Sequence, residues 1–330
     1  MSRAVWMGLG MILAASLAVL PAGVAAHPPD AGTLETITTF DASRLEMPES
    51  IAIDREGNLY LGLSFRGELR KITPDGTAST VAVFPIGAPL SFCGVFFNAL
   101  GPITVDDQGN LYASVLACDP ANRGVWKVSP SGDMELLATI PLTGLPNGIA
   151  LYRDYLYVAD TILGVIWRVP AAGGAAEVWL DHPLLKPARP GLPGPNGLQV
   201  FRQELYVANT SQRTILAISP NPDGTAGEPR VYALVPQSGC DDFALDVHGS
   251  VYCTTAPANT LVRIDPDGTA AVLLTQDDGL DVPTAAAFGK RGQGRFDLYI
   301  TNAAYFFLPN RASPSVMRLH LGVGGAPPTS

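Results

Sequence analysis

The chain has 330 residues, of which 34 are Gly and 29 Pro, 47% are hydrophobic, and the formal charge is −9. So many turn formers exclude a mainly helical fold. The acidic balance excludes nucleic acid and anionic membrane surfaces as partners, because both are bound through clustered Lys and Arg.

The first segment, residues 1–26, has Arg3 near its start, then an apolar run, and ends in Val24-Ala25-Ala26, the small-x-small pattern of a signal-peptidase site. Cleavage after Ala26 is predicted. The mature chain then begins at His27, is secreted or periplasmic, has no membrane attachment, and carries a charge of −10, since the segment removes Arg3 and no acidic residue. An uncleaved anchor is the alternative, against which stands the break at Pro21-Ala22-Gly23. No later stretch is apolar for long enough to span a bilayer.

From residue 33 onward one unit recurs six times. TLETITTF (33–40) reads as an isolated strand. Then come PESIAIDREGNLYLGLS (48–64), GPITVDDQGNLYASV (101–115), PNGIALYRDYLYVADT (146–161), PNGLQVFRQELYVANT (195–210), CDDFALDVHGSVYCTT (240–255) and PTAAAFGKRGQGRFDLYITN (283–302). Each is an apolar strand, a polar or Gly-containing turn, and a second strand of β-branched and aromatic residues, the pattern of a tight hairpin. Third and fourth strands follow in most copies across PDG or PSG turns, where Gly supplies positive φ. Four antiparallel strands repeated six times predict an all-β fold, a six-bladed β-propeller over residues 33–322. The last copy stops after SVMRLHLG (315–322), one strand short, so residues 33–40 are expected to complete that blade, close the ring and cover a sheet edge. Residues 323–330 are expected to be a flexible tail.

Counting back five residues from the Asp, or its equivalent, that ends each inner strand gives Glu49, Gly101, Asn147, Asn196, Asp241 and Thr284. Equivalent positions in a ring converge on its axis. Glu49, Asn147, Asn196 and Asp241 bring two carboxylates and two amides, the hard oxygen donors that a divalent metal, calcium foremost, requires. Asn and Asp beside Gly are also ordinary turn residues; Glu49 is not, and it weighs most.

These residues, in PESIAID, PNGIAL, PNGLQV and CDDFALD, make the chain resemble the senescence-marker/gluconolactonase family, also called regucalcin-like, and more distantly the paraoxonases. The resemblance spans residues 33–322. It implies a divalent metal, usually calcium, held at the propeller mouth by Glu49, Asn147, Asn196 and Asp241, and hydrolysis of lactones and related esters as small-molecule substrates. By the same resemblance Asp241 activates the attacking water, with the adjacent Asp242 as the other candidate or a fifth ligand. The paraoxonase histidine dyad has no counterpart among His27, His182, His248 and His320. Only His182 comes from the face of the column, in a loop where a solvated histidine is the ordinary reading.

Four cysteines in an exported chain imply two disulfides, and the absence of any C-x-x-C pair argues against thiolate zinc. Proximity pairs Cys93 with Cys118 and Cys240 with Cys253. Asp160, Asn209 and Asn302, which end second strands on the same face, either line a pocket or cap their strands. The aromatic segment 86–100 either covers the mouth or packs between blades. A non-catalytic binding propeller of the NHL kind and a metal-independent strictosidine-synthase-like enzyme are the competing readings. For the latter, residues 275–289 lack the late Glu expected. No G-x-S-x-G, P-loop or H-E-x-x-H motif is present.

Overall fold

The computed structural model describes residues 32–93, 96–236, 238–305 and 314–327. The expected signal segment lies outside these residues. Six four-stranded antiparallel sheets make up the fold. Their innermost strands are Pro48–Ile53, Ala99–Val105, Pro146–Tyr152, Pro195–Phe201, Phe243–Leu245 and Pro283–Phe288, in blades 1 to 6. Each inner strand packs beside that of the next blade, and the sixth returns to the first, so the ring is closed. No helix among the described residues is long and apolar enough to cross a membrane.

Local chemistry explains the repeat. In blades 1, 2 and 5 an Asp follows the inner strand and folds the hairpin turn about its carboxylate. Asp54 accepts from Glu56 N and Asn58 N at 3.0 and 2.9 Å and from the Tyr60 hydroxyl at 3.1 Å. Asp106 repeats this with Gln108, Asn110 and Tyr112, and Asp246 with His248, Ser250 and Tyr252. The turn's free N–H groups are thereby satisfied by one side chain. Burying the polar tip of each Tyr then becomes inexpensive.

The core is divided among the blade interfaces. Leu69 and Phe84 of blade 1 meet Leu100 and Val115 of blade 2, Val125 and Tyr112 meet Ile149 and Val158, and comparable clusters fill the other four interfaces. Blade 6 takes its outer strand from the other end of the chain. Leu34–Thr39 pairs antiparallel with Ser315–His320, with Leu34 opposite Leu319 and Thr39 opposite Ser315. The expected ring closure is therefore present.

At the level where the inner strands begin, hydroxyl groups tie each blade to its successor. Ser50 donates to Gly101 O at 3.2 Å, Ser114 to Asn147 O at 2.8 Å, and Thr161 to Pro195 O at 2.7 Å. Thr210 donates to Cys240 O at 2.7 Å, Thr254 to Thr284 O at 3.2 Å, and Thr284 to Pro48 O at 3.2 Å. All six interfaces carry one such bond, and the bonds form a continuous belt.

Both expected disulfides are formed, Cys93–Cys118 and Cys240–Cys253, with Cα atoms 5.6 and 5.5 Å apart. The tail differs from expectation as far as it is described. Val247 N donates to Gly324 O, Gly325 N to Arg295 O and Ala326 N to Leu245 O, so the chain is docked up to Ala326. Small residues at 322–326 let the backbone lie against the hairpin turns of blades 5 and 6.

Candidate active site

The column residues sit on irregularities of the sheets. In blades 1, 2, 3, 4 and 6 the register between inner and second strands shifts at Pro48/Ser50, Leu100/Ile103, Pro146/Ile149, Pro195/Leu198 and Pro283/Ala285. Glu49, Gly101, Asn147, Asn196 and Thr284 lie within those shifts. A bulge leaves its extra residue out of the ladder and re-aims its side chain. In blade 5 the inner strand starts only at Phe243, while Asp241 N still donates to Thr254 O and Thr254 N to Asp242 O. The Cys240–Cys253 bridge holds the residue before Asp241 against the second strand of the blade.

The two Asn-Gly pairs allow neighbouring inner strands to close up. A Cβ on Gly148 would stand 2.1 Å from Asn196 O, and one on Gly197 would stand 2.3 Å from Asp242 Oδ1 and 2.6 Å from its Cα. Only glycine fits, and Gly197 N uses the room to donate to Asp241 O at 2.8 Å.

Three carboxylates meet here, Glu49, Asp241 and Asp242. Burial, then the charge of Asp241, pushes Glu49 up to about 8, a shift to which Asp242 adds and which the Tyr305 hydroxyl partly offsets. Burial pushes Asp241 up to about 7 against the Asn196 amide, which donates to its Oδ1 at 2.6 Å. Asp242 is likewise pushed by burial to about 7, although it accepts from Phe243 N at 2.8 Å and from Gln199 Nε2 at 3.3 Å. Asn196 also donates to Thr210 Oγ1 at 3.2 Å. Asn196 is thus bonded to Asp241, Glu49 lies near enough to feel the charges of both aspartates, and Asn147 occupies the equivalent bulge in blade 3. Among the described residues no group of three His, Cys, Asp or Glu side chains is drawn tightly enough to chelate an ion.

Tyr305 was not legible as a site residue. Its hydroxyl donates to Glu49 Oε2, and its ring lies 5.5 Å from that of Phe65, which in turn lies 5.8 Å from Phe97. The only signal was the aromatic run in the sequence that begins at Tyr305, between the second and third strands of blade 6. In segment 86–100, Ile86 and Leu100 pack between blades 1 and 2, and the Phe97 ring lies 5.8 Å from that of Phe65.

Asp160, Asn209 and Asn302 are structural. Asp160 accepts from Leu145 N, Ile162 N, Leu163 N and Trp167 Nε1. Asn209 binds Leu184 O, Lys186 O and Gln212 N, and Asn302 binds Gly279 O, Ser315 Oγ and Asp281 N. His182 caps the short helix Pro183–Leu185 through Leu184 N and faces Glu228 at 3.2 Å, away from the carboxylates. Beneath the column runs a channel of about 760 Å³, lined near it by Ser50, Gln199 and Asp242 and at its far end by Arg153 and Lys290.

Residues 185–304 match the family model described as the SMP-30/Gluconolactonase/LRE-like region, and residues 32–64 match that of the strictosidine synthase-like N-terminal region. No curated protein sequence matches the chain. Among solved structures it is similar to a gluconolactonase from Xanthomonas campestris, with a TM-score of 0.62 and 20% identity over 92% of this chain and 99% of that one. It is similar to the calcium-binding protein regucalcin from Agrobacterium tumefaciens, with a TM-score of 0.64 and 15% identity over 93% and 100%. The PQQ-bound aldose sugar dehydrogenase from Streptomyces coelicolor also matches, with a TM-score of 0.59 and 16% identity over 89% and 99%. At these identities the structural likeness speaks for the fold, which several chemistries share. The chain is a six-bladed propeller whose residues 185–304, with Asn196 and Asp241 among them, match the SMP-30/Gluconolactonase/LRE-like region.

Proposed function

We propose that this protein is an exported hydrolase of lactones or related esters that depends on a divalent metal, calcium being the best fit, at the propeller mouth. The observation that carries this reading is the set of half-buried carboxylates, Glu49, Asp241 and Asp242, all held far above the usual carboxylate range. Like charges gathered in a desolvated place are costly unless a cation joins them. An all-oxygen donor set of carboxylates and amides suits calcium, with waters completing its shell. Glu49, Asn147, Asn196 and Asp241 would hold the ion. When bound, it supplies Lewis-acid polarisation of the substrate carbonyl and charge stabilisation of the developing oxyanion.

The side chains divide the remaining work. Tyr305 orients Glu49, and Asn196 orients Asp241 through its amide N–H. Asp241 accepts a proton from water as the water oxygen bonds to the carbonyl carbon, and returns it to the ring or alkoxy oxygen as that C–O bond breaks. Asp242, one residue on and held by Gln199, is the other candidate for this proton transfer. The two disulfides favour an oxidising compartment, in line with export.

The test is the metal content of the purified protein, followed by a panel of lactones assayed with and without chelator. Bound calcium, chelator sensitivity and a loss of about 100-fold or more in kcat/KM for Glu49→Gln are expected. Retention of no metal, together with unchanged activity in Glu49→Gln, would reject the proposal. The strictosidine synthase-like match at 32–64 supports a second, metal-independent reading, marked by catalysis that survives chelator.

A further inference from the structure

Blade 5 fastens its ligand segment differently from the other five blades. There the residue before the column position is Pro48, Leu100, Pro146, Pro195 or Pro283, and each lies in the ladder opposite a residue of the second strand. In blade 5 that residue is Cys240, and the ladder starts only at Phe243, opposite Cys253. The same Cys253 is bridged to Cys240, with the two Cα atoms 5.5 Å apart. Asp241 and Asp242 therefore span between two residues that are both tied to Cys253, one through the ladder and one through sulfur.

The segment needs that tie. Glu49, Asp241 and Asp242 are half-buried carboxylates close enough to feel one another's charge, and the two aspartates are neighbours in the chain. Once ionised they repel, and a site without an ion relaxes by letting them part. Asp241 N donates to Thr254 O at 2.9 Å and Asp242 O accepts from Thr254 N at 3.0 Å, but the Cys240 carbonyl is taken by Thr210 of blade 4 at 2.7 Å. What holds Cys240 to the second strand of its own blade is the bridge. Both cysteines are fully buried, so a reductant reaches the sulfurs only when this stretch opens. The same opening frees Asp241 and Asp242. The Cys93–Cys118 bridge, by contrast, ties the inserted hairpin to blade 2, which offers no ligand side chain.

From this we infer that the Cys240–Cys253 bridge positions the cation site, which takes calcium at full affinity only in the oxidised chain. The inference rests on the metal reading of the site and not on hydrolysis. Calorimetric titration of the calcium-depleted full chain with calcium would compare the native protein with the Cys240→Ala/Cys253→Val pair. Val is what blades 3 and 4 carry at the matching position, Val158 and Val207. Affinity is expected to fall at least about tenfold in this pair, through lost preorganisation, and to stay within about threefold in Cys93→Ala/Cys118→Ala. Linkage supplies a second measurement on the native chain, which carries the test if the first pair fails to fold: calcium must protect the bridge by the factor through which the bridge favours calcium. The protein is equilibrated with dithiothreitol, which gives two electrons and two protons per bridge and leaves as its own cyclic disulfide. The free thiols are then alkylated and located by mass spectrometry. Saturating calcium should lower the equilibrium constant for reducing Cys240–Cys253 at least about tenfold, and that for Cys93–Cys118 by less than about threefold. Equal calcium affinity with and without the bridge, an equal loss in both cysteine pairs, or calcium protection that does not favour Cys240–Cys253 would overturn the inference. Oxidised protein that binds no calcium rejects the metal reading and the inference with it. Bridge-dependent calcium binding without hydrolysis of any lactone keeps the inference and rejects the hydrolase.

Discussion

At the scale of single residues, Glu49, Asp241 and Asp242 couple the site to the stability of the fold. Without an ion they keep their protons up to about 8, 7 and 7, whereas in the unfolded chain such groups titrate near 4. Between those limits the folded state binds more protons than the unfolded state, so stability falls as pH rises. The favourable contribution is complete below the unfolded values and is lost as pH climbs through the folded ones. Calorimetric melts of chelated protein should therefore show Tm declining from about pH 5 to about pH 8. Saturating calcium should remove most of that decline, so the calcium-induced rise in Tm is larger at the alkaline end. An identical rise at both ends would mean that these carboxylates do not hold the ion. Tyr305 adds a positioning role at this scale that no repeat position announced, since it lies in the connection between the second and third strands of blade 6, where the repeat has no fixed sequence.

Among the elements, the bulges separate what was readable in the sequence from what was not. The recurring P-x-G placed Asn147 and Asn196 at equivalent points, and counting placed Glu49 and Asp241 with them. Alternation of apolar residues does not encode a register shift, so the turning of these side chains out of the ladder became visible only in the pairing. The same limit applies to Asp160, Asn209 and Asn302, whose spacing fits a pocket or a cap equally well; their partners are mostly backbone groups of adjacent loops, with the Trp167 and Ser315 side chains besides. Gly197 offers the sharpest test of the local geometry. Gly197→Ala would press a methyl into Asp242 and should cost about 1–3 kcal/mol in urea unfolding while weakening calcium binding. Gly294→Ala, where a Cβ meets nothing within 4 Å, serves as the control and should do neither. If both variants behave alike, the close approach of blades 4 and 5 is not what shapes the site.

For the whole molecule, the periodicity of the chain carried most of the architecture: the number of blades, the strand borrowed from residues 33–40, and the two cysteine pairs. The belt of hydroxyl bonds was not legible, because Ser50, Ser114, Thr161, Thr210, Thr254 and Thr284 do not occupy one repeat position. Ser50 and Thr284 belong to inner strands, and the others stand at or just beyond the second. A directional prediction follows from how the bonds run. Ser114 belongs to blade 2, which offers no ligand side chain, yet it holds the carbonyl of Asn147. Ser50 adjoins Glu49 in sequence but holds the carbonyl of Gly101. Ser114→Ala should cost about 1 kcal/mol of stability and weaken calcium binding, while Ser50→Ala should cost a similar amount and leave calcium binding nearly intact. Titration of chelated protein with calcium distinguishes the two, and the opposite ranking would refute it.

The belt also has a sense of rotation, since every donor reaches forward to the blade that follows it and none reaches back. A lesion in one blade is therefore felt at its downstream neighbour, and the residue that governs a given ligand is to be sought one sixth of a turn earlier around the mouth.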